Sequence, residues 1–157
     1  MLTIRPMTEA DYPAVLQLTV ADDQLSYVGT TKELLNRRQS DWHLHVVCAG
    51  EETIGVFNLD LGYASHMPFA GCGELGLRSF LIDQRQQGQG YGTQAVRLLP
   101  DYLQQNYPDC QRLWLTVNCQ NPAAYHCYLK AGFDDSNEIY HGGLAGPQHI
   151  MSLTHKR

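Results

Sequence analysis

The sequence contains no apolar run approaching the roughly 20 residues of a membrane-spanning helix, and its first residues lack the basic-then-apolar pattern of an export signal. A membrane anchor is therefore not expected. No two cysteines stand at C-x-x-C spacing: Cys48, Cys72, Cys110, Cys119 and Cys127 form an odd, scattered set. That set argues against a disulfide framework and fits reduced thiols in a cytoplasmic protein. There is no basic excess either, since 11 Lys and Arg stand against 16 Asp and Glu for a net charge of −5. Nucleic acid is not expected as a main partner, and a cationic ligand is mildly favoured. Long linkers, low-complexity tracts and repeats are also lacking. The 157 residues read as one domain, 1–157, large enough to bury a core without staples.

What the sequence does have is glycine concentrated in one place. Gln87-Gly88-Gln89-Gly90-Tyr91-Gly92 lies between the apolar run Phe80-Leu81-Ile82 and a helical pattern from Thr93 to Gln105. Ala95, Val96, Leu99, Tyr102 and Leu103 share one side of that pattern. Strand, glycine-rich turn and helix N-terminus together make an anion site. Glycine lets the backbone approach closely, and the first helical N–H groups have no internal partner. A pyrophosphate suits such a site. The loop is not that of a nucleoside-triphosphate site, which needs Lys and then Ser or Thr where this chain has Thr93-Gln94. Its glycines at 88, 90 and 92 also miss the dinucleotide spacing. Pro100 falls inside the helical pattern and removes the bond to the Val96 carbonyl, so a kink or restart at Leu99-Pro100 is expected.

A second motif, Asn121-Pro122-Ala123-Ala124-Tyr125-His126-Cys127-Tyr128-Leu129-Lys130-Ala131-Gly132-Phe133, follows the apolar strand Leu113-Trp114-Leu115-Thr116-Val117. Together the two stretches resemble the signatures of the GNAT N-acetyltransferases. The loop pattern Q/R-x-x-G-x-G/A is filled by Gln87, Gly90 and Gly92, and two residues earlier by Arg85, Gly88 and Gly90. The later register is preferred because it sets Gly92-Thr93 at the helix start. The pattern N-x-x-A-x-x-x-Y-x-x-x-G-F is filled by Asn121, Ala124, Tyr128, Gly132 and Phe133. The resemblance covers nearly the whole chain. It implies an α/β GNAT fold, with a mixed central sheet of about six to seven strands in a V-shaped splay, flanked by about four helices.

Spacing and turn residues fill in the rest. They predict a strand over 2–5, then a helix capped by Thr8 with Val15, Leu16 and Leu18 inward. A more polar helix is expected within 29–41, opened by Thr30 or Thr31, and a hairpin of 45–49 with 53–61 across Gly50-Glu51-Glu52. Residues 62–73 read as a flexible loop over the substrate side, 74–82 as the central strand, and 133–140 and 149–153 as final strands around Gly142-Gly143.

The resemblance also implies roles. Acetyl-CoA is the cosubstrate, and an unprotonated primary amine of a small molecule attacks its thioester directly. Phe80, Leu81 and Ile82 would present their backbone to the pantetheine arm and acetyl carbonyl. Gln87, Gly88, Gln89, Gly90, Tyr91, Gly92 and Thr93 would cradle the pyrophosphate, and Asn121 and Ala124 would meet the cofactor arm. The chemistry needs a base, oxyanion donors and an acid for the departing thiolate. Tyr128 matches the family's acid; Tyr125, on the same helix face, would substitute for it or pack. Thr116 stands where relatives acting on N-terminal amines often carry Glu. Glu74 is then the candidate base, with His66 or water as alternatives. His43 and His45 alternate as metal ligands can, but no acidic or thiolate partner is evident, so no metal is expected. The segment 77–92 and the final His-Ile-Met-Ser-Leu strand resemble bacterial polyamine acetyltransferases, making a polyamine one candidate acceptor. A protein or peptide amine is the nearest alternative acceptor. A non-catalytic acyl-CoA-binding or sensing module is the alternative of another class. Many relatives dimerise, so a homodimer is compatible with the resemblance.

Overall fold

The computed structural model describes residues 1–25, 30–37, 39–143 and 146–154. Its strands are β1 (Leu2–Pro6), β2 (Trp42–Ala49), β3 (Glu52–Asp60), β4 (Leu75–Ile82), β5 (Arg112–Asn118), β6 (Asp134–Tyr140) and β7 (Gln148–Thr154). They form one seven-stranded sheet in the order β1-β2-β3-β4-β5-β7-β6. All neighbours run antiparallel except β4 and β5. The helices are α1 (Tyr12–Leu16), α2 (Thr31–Arg37), α3 (Tyr63–His66), α4 (Tyr91–Arg97), α5 (Leu99–Asn106) and α6 (Pro122–Ala131).

Alternation along the strands supplies two apolar faces. On one, Leu44, Val46 and Val56 pack with Val15 of α1 and with Leu34 and Leu35 of α2. On the other, Val47, Phe57, Leu59, Leu113 and Leu115 pack with Ala95, Val96, Leu99 and Leu103 of α4 and α5. The sheet is thus a layer between two helical layers, as an α/β sandwich requires.

Two irregularities in the middle of the sheet create the site. First, β4 and β5 pair only at Leu75↔Leu113 and Gly76↔Trp114, then separate. This is the expected splay. Second, Val56 pairs with Leu81 and Asn58 with Arg78, so Ser79 and Phe80 together oppose Phe57. Ser79 takes a left-handed φ of 56°, a conformation costing a non-glycine residue on the order of 1–2 kcal/mol. The bulge lies beside the opening between the strands.

Several expectations need correction. The helix expected from Thr93 begins earlier, at Tyr91, and ends at Arg97; the expected restart follows at Leu99. Pro100 sits in the first turn of the second, where a missing N–H costs nothing. Leu16 is 42% exposed, whereas Val15 and Leu18 are buried, because α1 ends at Leu16 and the inward spacing is three residues. The expected helix within 29–41 is Thr31–Arg37; Gly29 and Arg38 lie outside the described residues. Thr30 caps it, with Glu33 N donating to Thr30 Oγ1 and Thr30 N to Glu33 Oε1, both at 3.1 Å. The 62–73 segment is anchored rather than free. It opens with α3, and Tyr63 and Met67 are buried against Trp114 and Ile150. Gly76 permits this, since a Cβ there would collide with the Tyr63 ring.

Candidate active site

The glycine loop forms the N-terminal end of α4. Gly90 caps the helix with φ 80° and ψ 9°, and Gly88 has φ 82°, left-handed conformations that other residues adopt only with strain. The N–H groups of Tyr91, Gly92 and Thr93 open the helix without intrahelical partners. Asp83 holds the loop from behind. It is buried, accepts Thr19 Oγ1 at 2.7 Å, and pairs with Arg85 Nη2 at 2.7 Å. Burial opposes its ionisation, yet the hydrogen bonds from Arg85 and Thr19 prevail and pull its pKa down to about 2. A residue in the segment after α1 is thereby tied to the loop after β4.

In front of the loop lies a cavity of about 330 Å³. Of the residues that the resemblance implied for the cofactor, Phe80, Leu81, Ile82, Gln87, Gly88, Gly90, Tyr91, Gly92, Thr93 and Ala124 line it. Val20, Gln24, Gln86, Ala123 and Cys127 line it too and carried no motif to announce them. Gln89 does not line it. With apolar walls and an amide-rich end, the arm fits the pantetheine and pyrophosphate of acetyl-CoA.

A second cavity, of about 290 Å³, occupies the gap between β4 and β5. Arg78 and Ser79 line it from β4, Thr116 and Asn118 from β5, and Trp42, Tyr63 and Gln148 from other elements. Phe80, Ala124, Tyr128 and Gln24 line both cavities, so the two arms meet there.

Tyr128 is set at this junction by edge contacts to Phe80, at 6.3 Å between ring centroids, and to Phe133, at 5.6 Å. Its hydroxyl has no hydrogen-bond partner among the described residues. Burial, helped by nearby Cys127, pushes the phenol well above its usual range, so it remains a proton donor at any physiological pH. Tyr125 is not its equivalent: that hydroxyl donates to Asp135 Oδ2 at 2.7 Å, and the ring packs on His149 at 4.3 Å.

Asn121 is placed differently from the expectation. It lines the second cavity, and its amide is engaged within the protein. Oδ1 accepts from Gln24 Nε2 at 3.2 Å and from Ala124 N at 3.5 Å, while Nδ2 donates to Gln24 Oε1 at 3.0 Å. It caps α6 and holds Gln24 rather than offering a free amide.

Glu74 does not belong to this group. It precedes β4 at the paired end of the strands, roughly 26 Å along the strand from Ile82. Its Oε1 already accepts Trp114 Nε1 at 2.7 Å and Gly71 N at 2.6 Å, and it lines neither cavity. His66 is exposed at the end of α3 and lines neither cavity. His43 and His45 are each engaged by a tyrosine, Nδ1 of His43 with Tyr107 at 2.8 Å and Nε2 of His45 with Tyr102 at 2.6 Å.

Arg78 is the least expected member of the second cavity. Nε donates to Asp60 Oδ2 at 2.7 Å, and Asp60 is fully buried. The guanidinium lies 5.2 Å from the Trp42 ring centroid and 4.9 Å from that of Tyr63. The net charge of −5 favoured a cationic ligand, but no Asp or Glu is among the described residues lining either cavity.

Comparison with known proteins accords with this geometry. The profile of the acetyltransferase (GNAT) family matches residues 7–133. The spermine/spermidine N(1)-acetyltransferase of Bacillus subtilis is 29% identical over 90% of this chain and 93% of its own. The uncharacterized N-acetyltransferase YbbJ of Bacillus subtilis is 30% identical over 88% of each. The fold superposes on aminoglycoside acetyltransferase AAC(6')-Ib in complex with coenzyme A, with TM-score 0.79 and 22% identity over 98% of this chain and 95% of that one. Among the described residues, no helix is long and apolar enough to cross a membrane.

Proposed function

The chain belongs to the acetyltransferase (GNAT) family, and from that premise we propose how it handles its acceptor. It is an acetyl-CoA-dependent N-acetyltransferase of small-molecule amines. The observation that carries the mechanistic reading is the position of Tyr128, whose side chain borders both cavities.

In this reading the first cavity is the cofactor arm. The N–H groups from Gly88 to Thr93 receive the pyrophosphate, and the backbone of Phe80, Leu81 and Ile82 receives the pantetheine and acetyl carbonyl. The acceptor enters through the second cavity. Its nitrogen bonds to the acetyl carbon as the carbon–sulfur bond breaks, and Tyr128 donates its proton to the departing sulfur. With Glu74 and His66 outside the cleft, the amine proton leaves through water held by the polar side chains of Thr116 and Asn118. Gln24 and Asn121 act as positioning residues at the junction.

The spermine/spermidine N(1)-acetyltransferase among the relatives puts polyamines on the panel of amines to be tested. The relatives' bacterial source and the free cysteines support a bacterial cytoplasmic protein acting as one domain over 1–157. The test is release of free thiol from acetyl-CoA across a panel of primary amines. Turnover with small amines is expected. Tight acetyl-CoA binding with no thiol released by any amine would overturn the catalytic reading in favour of a sensing module.

A further inference from the structure

The acceptor arm is built for a different partner from a polycation. Two arginines, Arg37 and Arg78, line it, and none of its described lining residues is acidic. A polyamine reaching the junction with one nitrogen would leave its remaining ammonium groups beside guanidinium, with no carboxylate on the described lining to receive them. Arg78 is also held in place before any ligand arrives. The buried Asp60 takes its Nε, and the rings of Trp42 and Tyr63 lie against the guanidinium plane. Its two terminal nitrogens make no hydrogen bond among the described residues. Two parallel donors on a fixed guanidinium match the two oxygens of a carboxylate. Asp60 balances the charge of Arg78 but, being fully buried, cannot itself meet a ligand. Arg78 stands two residues before Phe80 on β4, so a group seated on it lies next to the junction at Tyr128.

We propose that the acceptor is a primary amine that also carries a carboxylate, and that Arg78 receives this carboxylate while the amine faces Tyr128. The inference rests on the acetyltransferase reading of the same cleft and assigns Arg78 as its specificity-determining residue. Matched amines test it: lysine against cadaverine, phenylalanine against phenethylamine, methionine against 3-methylthiopropylamine, with spermidine alongside. In at least one pair the amino acid should show kcat/KM at least about ten-fold higher, mainly through KM. Replacing Arg78 alone leaves Asp60 buried and unpaired, so the decisive variant is Arg78→Met with Asp60→Asn. In that variant the ratio within the pair should collapse towards one, while Arg78→Lys, a charge without the fork, should keep only part of it.

Higher kcat/KM for spermidine or cadaverine than for every amino acid would overturn the proposal. So would a ratio that survives the loss of Arg78. Calorimetry on the CoA-loaded protein separates this from failure of the catalytic reading. If no amine releases thiol but an amino acid binds in an Arg78-dependent way, catalysis is refuted and the site stands. If none binds and none is acetylated, the site falls as well.

Discussion

The two arms of the cleft meet at Tyr128 but are made of different parts. The cofactor arm is largely backbone: a glycine loop, the start of a helix and the end of a strand. The acceptor arm is largely side chains, brought together from β2, α3, β4, β5 and β7. A site that binds through N–H groups needs glycines at fixed spacing, and so leaves a contiguous signature. A site that binds through side chains can draw each from a different element and leaves none. The comparison also predicts how each arm tolerates substitution.

The largest effect should come from the cofactor arm's backbone. Gly90→Val forces a β-branched residue into a left-handed conformation and should weaken acetyl-CoA binding by about 100-fold in calorimetry. Truncating a nearby side chain, Gln87→Ala, should change affinity by no more than about five-fold, since Gln87 Nε2 is engaged by the Ile82 carbonyl at 3.1 Å. Equal losses in the two variants would show that the cofactor arm relies on side chains as much as on its backbone.

At the junction, Tyr128→Phe removes only the proposed acid. We expect kcat to fall by about 100-fold while the acetyl-CoA dissociation constant hardly moves. An acid must be protonated to act, and burial raises this phenol above its ordinary value of about 10. No alkaline loss of kcat below pH 10 should therefore trace to Tyr128. A tyrosine-dependent limb at lower pH would show that the phenol is solvated rather than enclosed.

Behind the cofactor arm, His45 stacks on Phe57 and meets Tyr102 of α5, and burial lowers its pKa to about 4. Unfolded, the imidazole takes up a proton near pH 6.5, whereas folded it stays neutral to about 4. Stability should then drop as pH falls through that window, by about 2 kcal/mol between pH 7 and pH 5. Urea unfolding at both pH values measures it, and His45→Gln should flatten the dependence. The smallest effect is expected where the arms are stitched together. Gln24→Ala breaks the reciprocal amide pair with Asn121 and should cost about 1 kcal/mol of stability. It should also raise KM for both substrates a few-fold.

What was legible in the chain follows the same division. The restart at Pro100 and the left-handed turns at Gly88 and Gly90 could be anticipated because each is a local backbone property with its own residue signature, whereas the splayed sheet was expected only through the family resemblance. Asn121 was assigned to the cofactor, but whether an amide is free depends on Gln24, 97 positions earlier. Glu74 was a reasonable base by residue type. Its distance from the junction depends on which end of β4 pairs with β5, and spacing alone does not reveal that. Arg78 carries no sequence signal of its own beyond its place in the segment 77–92. Its fixed position arises only when Asp60, Trp42 and Tyr63 converge on it.

The early parting of β4 and β5 bears on the protein's persistence as well as its chemistry. Beyond Gly76 no strand among the described residues pairs with that side of β4, which leaves an open seam through the centre of the sheet. A ligand that satisfies those backbone groups binds the folded chain and not the unfolded one, and so holds the fold together by mass action. The unfolding midpoint should then climb with acetyl-CoA concentration, so that the cosubstrate acts as the missing rung of the sheet.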